Sequence, residues 1–61
     1  MNNNVYYLYI WTVSDDVEVG LYRDAGQWNE QFQRNIDTAK RHGFNYRVVR
    51  GGKTVQESIV R

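Results

Sequence analysis

The chain has 61 residues, with eight basic and seven acidic side chains and a formal net charge of +1. A chain of this length forms one small domain and buries only about 60% of the surface that its unfolded form exposes. The absence of cysteine excludes disulfides and thiolate metal sites, and a single histidine leaves no histidine-based metal cluster, so no metal and no cofactor are expected. Small domains without disulfides or bound metals often associate. We therefore expect a homodimer or another partner to bury additional surface.

The first residues predict no targeting or membrane segment. Residues 1–4 are polar, are expected to be disordered, and precede an apolar run of nine residues. No basic region comes before this run, which argues against a signal peptide, and a membrane-spanning helix needs about 20 apolar residues. We therefore expect a cytoplasmic protein without membrane contact, folded as a single domain over residues 1–61.

The first predicted strand, residues 5–13, is apolar on both faces. Side chains alternate along a strand, which places Tyr6, Leu8 and Ile10 on one face. The opposite face carries Tyr7, Tyr9 and Trp11. One helix covers only one face of a sheet, so this strand is expected to be central, with its second aromatic face left to contact a partner.

A second strand is predicted over residues 17–23, after a two-residue turn at Asp15 and Asp16. The implied cross-strand pairs are Thr12 with Val19, Ile10 with Leu21, Leu8 with Arg23, Trp11 with Gly20 and Tyr9 with Tyr22. In this register the indole of Trp11 covers the bare backbone of Gly20, and Tyr22 joins the aromatic face.

A helix is predicted after the second strand. Asp24 and Gln27 have the spacing of a capping box, with aspartate in place of the usual serine or threonine. Apolar residues then recur at intervals of three and four, which is typical of a helix that packs on one side: Ala25, Trp28, Phe32, Ile36 and Ala39. Basic residues 40–42 suit the C-terminal end of the helix dipole. Gly43 is predicted as the left-handed residue that ends the helix, with Phe44 folding back on Ala39.

A second hairpin is predicted from strands over residues 44–50 and 53–60, joined by a Gly51-Gly52 turn that tolerates positive φ. The implied pairs are Val48 with Val55, Tyr46 with Glu57 and Phe44 with Ile59. This register puts the Glu57 carboxylate on the core face, where it must reach Arg23 or another base, unless the register is wrong by one residue. The elements together predict an α+β fold of order ββαββ, a four-stranded, mostly antiparallel sheet with one helix on one face.

The sequence offers little for catalysis. His42 is the only imidazole and lies in the last turn of the predicted helix, where the helix dipole explains it. A role in the hairpin turn explains the adjacent Asp15 and Asp16. Residues 51–54 (GGKT) resemble the end of a phosphate-binding loop, but these glycines join two strands rather than a strand and a helix. We therefore expect no enzymatic activity and no cofactor.

The aromatic face is the best candidate for function, because aromatic and arginine side chains carry much of the binding energy of protein interfaces. The predicted partner-binding residues are Tyr7, Tyr9, Trp11, Tyr22, Arg47 and Arg50. The sequence thus favours a non-enzymatic inhibitor or adaptor that docks on a protein partner. Its size and composition are typical of small proteins that phages and mobile elements encode.

Two alternatives use the same surface. In the first, the rings stack on bases, each contributing about 1–3 kcal/mol, while basic side chains contact phosphates. The nucleic-acid residues would be Arg47, Arg50, Lys53 and Arg61. In the second alternative, a homodimer buries the aromatic face as a structural contact between subunits.

Charge is unevenly distributed along the chain. Residues 1–33 contain five acidic side chains and one arginine, whereas residues 34–61 contain seven basic and two acidic side chains. Such asymmetry can indicate a basic surface that binds nucleic acid or an acidic partner protein. It can equally indicate pairing of the two halves within the folded domain. Internal pairing is the expectation for a domain this small.

Overall fold

The computed structural model describes residues 4–59, which form five elements. They are β1 (Tyr6–Ser14), β2 (Val17–Gly26), α1 (Glu30–His42), β3 (Asn45–Arg50) and β4 (Lys53–Ser58). The strands pair antiparallel in the order β2-β1-β3-β4. The predicted ββαββ order and the central position of β1 are therefore confirmed. Residues 1–3 of the expected disordered segment and Arg61 of the nucleic-acid set lie outside the described residues.

Both predicted hairpin turns are confirmed. Asp15 and Asp16 connect β1 to β2 with φ angles of 53° and 65°. Gly51 and Gly52 connect β3 to β4 with φ angles of 60° and 77°. Two successive positive φ angles match the right-handed twist of the flanking strands, and glycine and aspartate are among the residues that tolerate them best.

The first hairpin contains a β-bulge that the predicted register lacks. The two predicted pairs nearest the turn, Thr12 with Val19 and Trp11 with Gly20, are confirmed. Leu21 is then an extra residue in β2, so Ile10 pairs with Tyr22 and Tyr9 pairs with Arg23. The predicted pairs of Ile10 with Leu21, Leu8 with Arg23 and Tyr9 with Tyr22 are wrong, and Leu8 pairs with Asp24 instead. Since a one-residue shift moves side chains to the other face, Tyr22 lies on the helix side of the sheet.

The second hairpin repeats this arrangement. Val55 is an extra residue in β4, so Val48 pairs with Gln56 and Arg47 pairs with Glu57. The predicted pairs of Val48 with Val55, Tyr46 with Glu57 and Phe44 with Ile59 are absent from the ladder of described residues, which ends at Tyr46 and Ser58. Each bulge lies in an outer strand, where an unpaired extra residue disturbs only one ladder.

The start of α1 differs from the predicted capping box. β2 continues to Gly26, and the Asp24 carboxylate accepts a hydrogen bond from the Ala25 N–H at 2.8 Å. The helix is capped instead by Asn29, whose Oδ1 accepts from the Phe32 N–H at 2.8 Å. Asparagine is as good an N-cap as aspartate, and the capping box could not form because Asp24 is held in a strand.

The predicted end of α1 is confirmed. Gly43 is left-handed with φ 73°, and its N–H donates to the Lys40 carbonyl at 3.2 Å. The Phe44 N–H donates to the Ala39 carbonyl at 2.9 Å. These two bonds satisfy carbonyl groups that the last turn leaves without helical partners.

The hydrophobic core lies between α1 and the helix side of β1 and β3. Its buried side chains are Leu8, Ile10, Phe32, Ile36, Ala39, Tyr46 and Val48. Two members of the predicted helical stripe lie outside α1, because Ala25 is on β2 and Trp28 precedes the N-cap. Trp28 still packs on the core edge, with its ring centroid 5.2 Å from Tyr6 and 5.1 Å from Phe32.

No helix within residues 4–59 has the length and hydropathy to cross a lipid bilayer.

Candidate functional site

Three aromatic side chains line the open face of β1, and we call Tyr7, Tyr9 and Trp11 the aromatic row. Tyr7 is 44% exposed and Tyr9 39% exposed, while Trp11 is half-buried. They alternate with the core residues of the same strand, so the rings point away from α1. The predicted two-sided strand is therefore present, and no element within residues 4–59 covers its second face.

Arg47 is the charged neighbour of the aromatic row on β3. It lies opposite Tyr9 across the β1–β3 ladder, and its guanidinium carbon is 5.9 Å from the centroid of the Trp11 ring. This distance is within the range of a cation–π contact, which contributes about 0.5–1 kcal/mol at an exposed site. Arg47 is therefore where the sequence predicted it, beside the rings.

Glu57 completes this contact on β4. Its Oε1 accepts a hydrogen bond from Arg47 Nε at 3.0 Å. The bulge at Val55 brings Glu57 to the open face, so the carboxylate that seemed misplaced in the core belongs to the surface. Of the two explanations offered by the sequence, the one-residue register error is correct, and Arg23 is not its partner.

The β2 side of the face adds two further charges. Arg23 lies opposite Tyr9 on β2, and Glu18 borders a shallow cleft of about 310 Å³ that Tyr9, Trp11 and Arg47 also line. The open face therefore carries two basic and two acidic side chains around the rings. Gly20 lies opposite Trp11, but a Cβ at Gly20 would have no heavy atom within 4 Å. The indole consequently does not cover this glycine as predicted.

Tyr22 does not belong to the aromatic row, which corrects its predicted place. Its hydroxyl accepts a hydrogen bond from Asn35 Nδ2 of α1 at 3.1 Å. Burial raises the pKa of Tyr22 above its ordinary 10.0, and the charge of Asp24 and a hydrogen bond to it raise this pKa further. Tyr22 thus connects the edge strand to the helix.

Arg50 is also separated from the aromatic row. It pairs with Tyr6 in the β1–β3 ladder, on the helix side, and its Nη1 donates to the Tyr6 hydroxyl at 3.0 Å. Its guanidinium carbon lies 5.5 Å from the Tyr6 ring centroid. Lys53 pairs with Arg50 beside the Gly51-Gly52 turn. The predicted binding set therefore divides into a group on the open face and a group on the helix side.

The residues that sequence reasoning missed are those that depend on the bulges, Arg23 and Glu57. One signal was available for Glu57, because a carboxylate in an otherwise apolar alternation indicates a shifted register. No such signal marked Leu21, since an apolar residue fits the core side of β2 equally well.

The remaining chemistry-bearing side chains are dispersed. The His42 ring stacks on Phe44, with centroids 5.4 Å apart and planes 22° apart. Nowhere in residues 4–59 do three or more His, Asp or Glu side chains lie close enough to hold a metal ion. The open face, with its rings and charges, is the surface that brings candidate binding residues together.

The fold and the site define a small ββαββ domain with an open aromatic sheet face. The chain matches no protein-family model, no curated protein and no solved structure at a significant level.

Proposed function

We propose that this chain is a small non-enzymatic binding protein, of inhibitor or adaptor type, that docks on a protein partner through the aromatic row. The main support for this proposal is that Tyr7 and Tyr9 are exposed on the face of the central strand that α1 leaves uncovered. Tyrosine, tryptophan and arginine are the residues most enriched among those that dominate interface energies.

The rigidity of this surface favours binding. Its three rings project from the central strand, whose neighbours on both sides hold its backbone by ladder hydrogen bonds. Arg47 is held between the Trp11 ring and Glu57. Side chains that are already positioned lose less conformational freedom on association, so more of their contact energy appears as affinity.

The charge pattern favours a protein over a nucleic acid. A phosphate backbone attracts clustered cations, but Glu57 neutralises Arg47, and Glu18 lies at the same cleft. Arg50 and Lys53, which the nucleic-acid alternative also needs, pair with each other at the end of the sheet, where Arg50 bonds to Tyr6 on the helix side. The partner that fits is a flat apolar protein surface with an acidic group for Arg23 and a basic group for Glu18.

A photo-crosslinking amino acid at Tyr9 tests this proposal, with the same group at exposed Arg34 on α1 as the matched control. Irradiation in a lysate of the cells in which the protein occurs is expected to give a defined protein adduct from position 9 and none from position 34. Trp11→Ala and Arg47→Glu should each remove that adduct, whereas Arg34→Ala should not. The captured protein, once purified, should bind the wild-type chain and lose at least tenfold in affinity for Trp11→Ala.

The other outcomes contradict the proposal and identify its alternatives. A nuclease-sensitive adduct would support the nucleic-acid alternative. An adduct of twice the chain mass would show that the aromatic row is a homodimer contact. Equal adducts from positions 9 and 34 would show that the row has no preferred partner.

A further inference from the structure

The β1–β2 hairpin extends beyond the rest of the sheet. β3 begins at Asn45 opposite Trp11, so residues 12–19 pair only with one another; we call this segment the hairpin arm. On the helix side the arm presents Val17, which is 60% exposed, and Val19, which is also exposed. Two apolar side chains on a two-stranded extension are costly to leave in water, and within residues 4–59 both remain exposed.

An apolar recess lies at the base of the arm. It has a volume of about 260 Å³ and is lined by residues of β1, β2 and α1 and by Phe44, which immediately precedes β3: Ile10, Leu21, Tyr22, Asn35, Thr38, Ala39 and Phe44. Leu21, the bulge residue, is exposed at its edge. The arm and the recess therefore share the helix side of the sheet, opposite to the aromatic row, and we call this surface the ledge; Thr12 and Ser14, the ladder partners of Val19 and Val17, also lie on it.

Opposite charges mark the two ends of this ledge. Asp15 and Asp16 form the acidic tip of the arm, while the last turn of α1 carries Lys40, Arg41 and His42. The ion pairs between residues 4–59 are Glu30 with Arg34 and Arg47 with Glu57. The expected internal pairing thus leaves both the acidic tip and the basic helix end without an ion-pair partner in this part of the chain.

The positions of the two ends permit them to meet between molecules. α1 ends close to the base of the arm, because Phe44 lines the recess and Asn45 pairs with Trp11. The tip lies at the far end of the same face. In an antiparallel arrangement of two arms about a two-fold axis, the tip of each copy would lie at the helix end of the other, and Val17 of each copy would face the other's recess.

We infer that the helix side of the hairpin arm binds a second copy of this chain in a two-fold, isologous contact. Such a contact is self-complementary in charge, because the acidic tip of each copy meets the basic helix end of the other, as a two-fold interface requires. It uses a different face from the aromatic row, so a dimer leaves the proposed partner surface free. The arm is short, and the contact falls in the class of small interfaces, below about 1,200 Å² in total, which associate weakly.

A charge-swap experiment tests this inference by analytical ultracentrifugation at concentrations up to about 1 mM, which covers weak association. The tip variant combines Ser14→Lys, Asp15→Asn and Asp16→Gly, and the last two suit positive φ. The helix variant combines Lys40→Glu and Arg41→Glu. The wild type is expected to reach twice the chain mass, and each variant alone should associate at least tenfold more weakly. An equimolar mixture of the two variants should recover the dimer, because each tip then meets a helix end of opposite charge.

Three controls keep the inference falsifiable. Arg50→Glu with Lys53→Glu reverses two charges at a different place, as many as the helix variant reverses, and should leave the dimer intact. Trp11→Ala should leave it intact as well. Far-UV circular dichroism checks that each variant folds. If a variant does not fold, the salt dependence of the wild type replaces it: added salt screens the paired ends and should weaken wild-type dimerisation. A monomeric wild type, a mixture that stays monomeric or a dimer lost with Trp11→Ala would each overturn the inference.

Discussion

Arg47 Nε lies 3.0 Å from Glu57 Oε1 on the open face of the sheet, although the alternation of β4 counted from its turn puts Glu57 in the core. The bulge at Val55 resolves this conflict by adding one residue to the outer strand. The ion pair on the open face is therefore a product of strand irregularity. The same effect removes Tyr22 from that face on the opposite edge.

We predict that the Arg47–Glu57 pair contributes about 0.5 kcal/mol to folding stability. The two side chains are 44% and 46% exposed, and exposed pairs gain little because water and salt screen them. A double-mutant cycle of Arg47→Met and Glu57→Gln, followed by urea unfolding, measures this coupling, which should fall in 1 M salt. A coupling above about 2 kcal/mol would show that the pair is structurally essential rather than a surface contact.

We predict that Asn29→Ala lowers the free energy of unfolding by about 1 kcal/mol, because it removes the side-chain acceptor for the Phe32 N–H. Asn29→Asp should retain most of the stability, since aspartate caps equally well. Gln27→Ala, which removes a residue of the capping box predicted from sequence, should cost less than about 0.5 kcal/mol. A larger loss for Gln27→Ala than for Asn29→Ala would contradict the observed helix start.

The sequence predicted those features that depend on short-range patterns. The two-sided apolar run identified β1 as the central strand, and adjacent aspartates or glycines identified both turns. Gly43 identified the end of α1, because a left-handed residue after a basic turn is a local signal. The aromatic row followed directly from alternation within one strand, so Tyr7, Tyr9 and Trp11 were placed without knowledge of their neighbours.

The features that failed depend on tertiary packing. The bulge residues Leu21 and Val55 line depressions beside α1, at the recess and at the cleft beside Trp28. A period-two pattern contains no information about such an insertion. The capping box failed for a similar reason, since pairing of Asp24 with Leu8 in the sheet prevents Asp24 from starting a helix.

We predict that Ile36→Ala lowers the free energy of unfolding by about 2–5 kcal/mol, because Ile36 is fully buried between α1 and the sheet. A domain of this length has a total stability of only about 3–9 kcal/mol, so the variant should be largely unfolded at 37 °C. Val13→Ala on the exposed arm is the matched control and should change stability by about 0.5 kcal/mol or less. Thermal melting followed by circular dichroism distinguishes the two, and equal losses would contradict the observed core.

We predict that Asp24→Asn lowers the pKa of Tyr22 toward 10.0. Burial is the largest cause of the raised pKa, followed by the Asp24 charge and the hydrogen bond to it, and the substitution removes that charge while keeping an acceptor for the Ala25 N–H. A raised pKa means that the unfolded chain loses the Tyr22 proton first. The stability that neutral Tyr22 contributes is therefore fully present below pH 10.0 and is lost as the pH rises through the raised pKa.

NMR titration of the Tyr22 ring carbon measures this pKa, with Asp15→Asn as the control that should not move it. An unchanged Tyr22 pKa in Asp24→Asn would show that the carboxylate does not act on this hydroxyl.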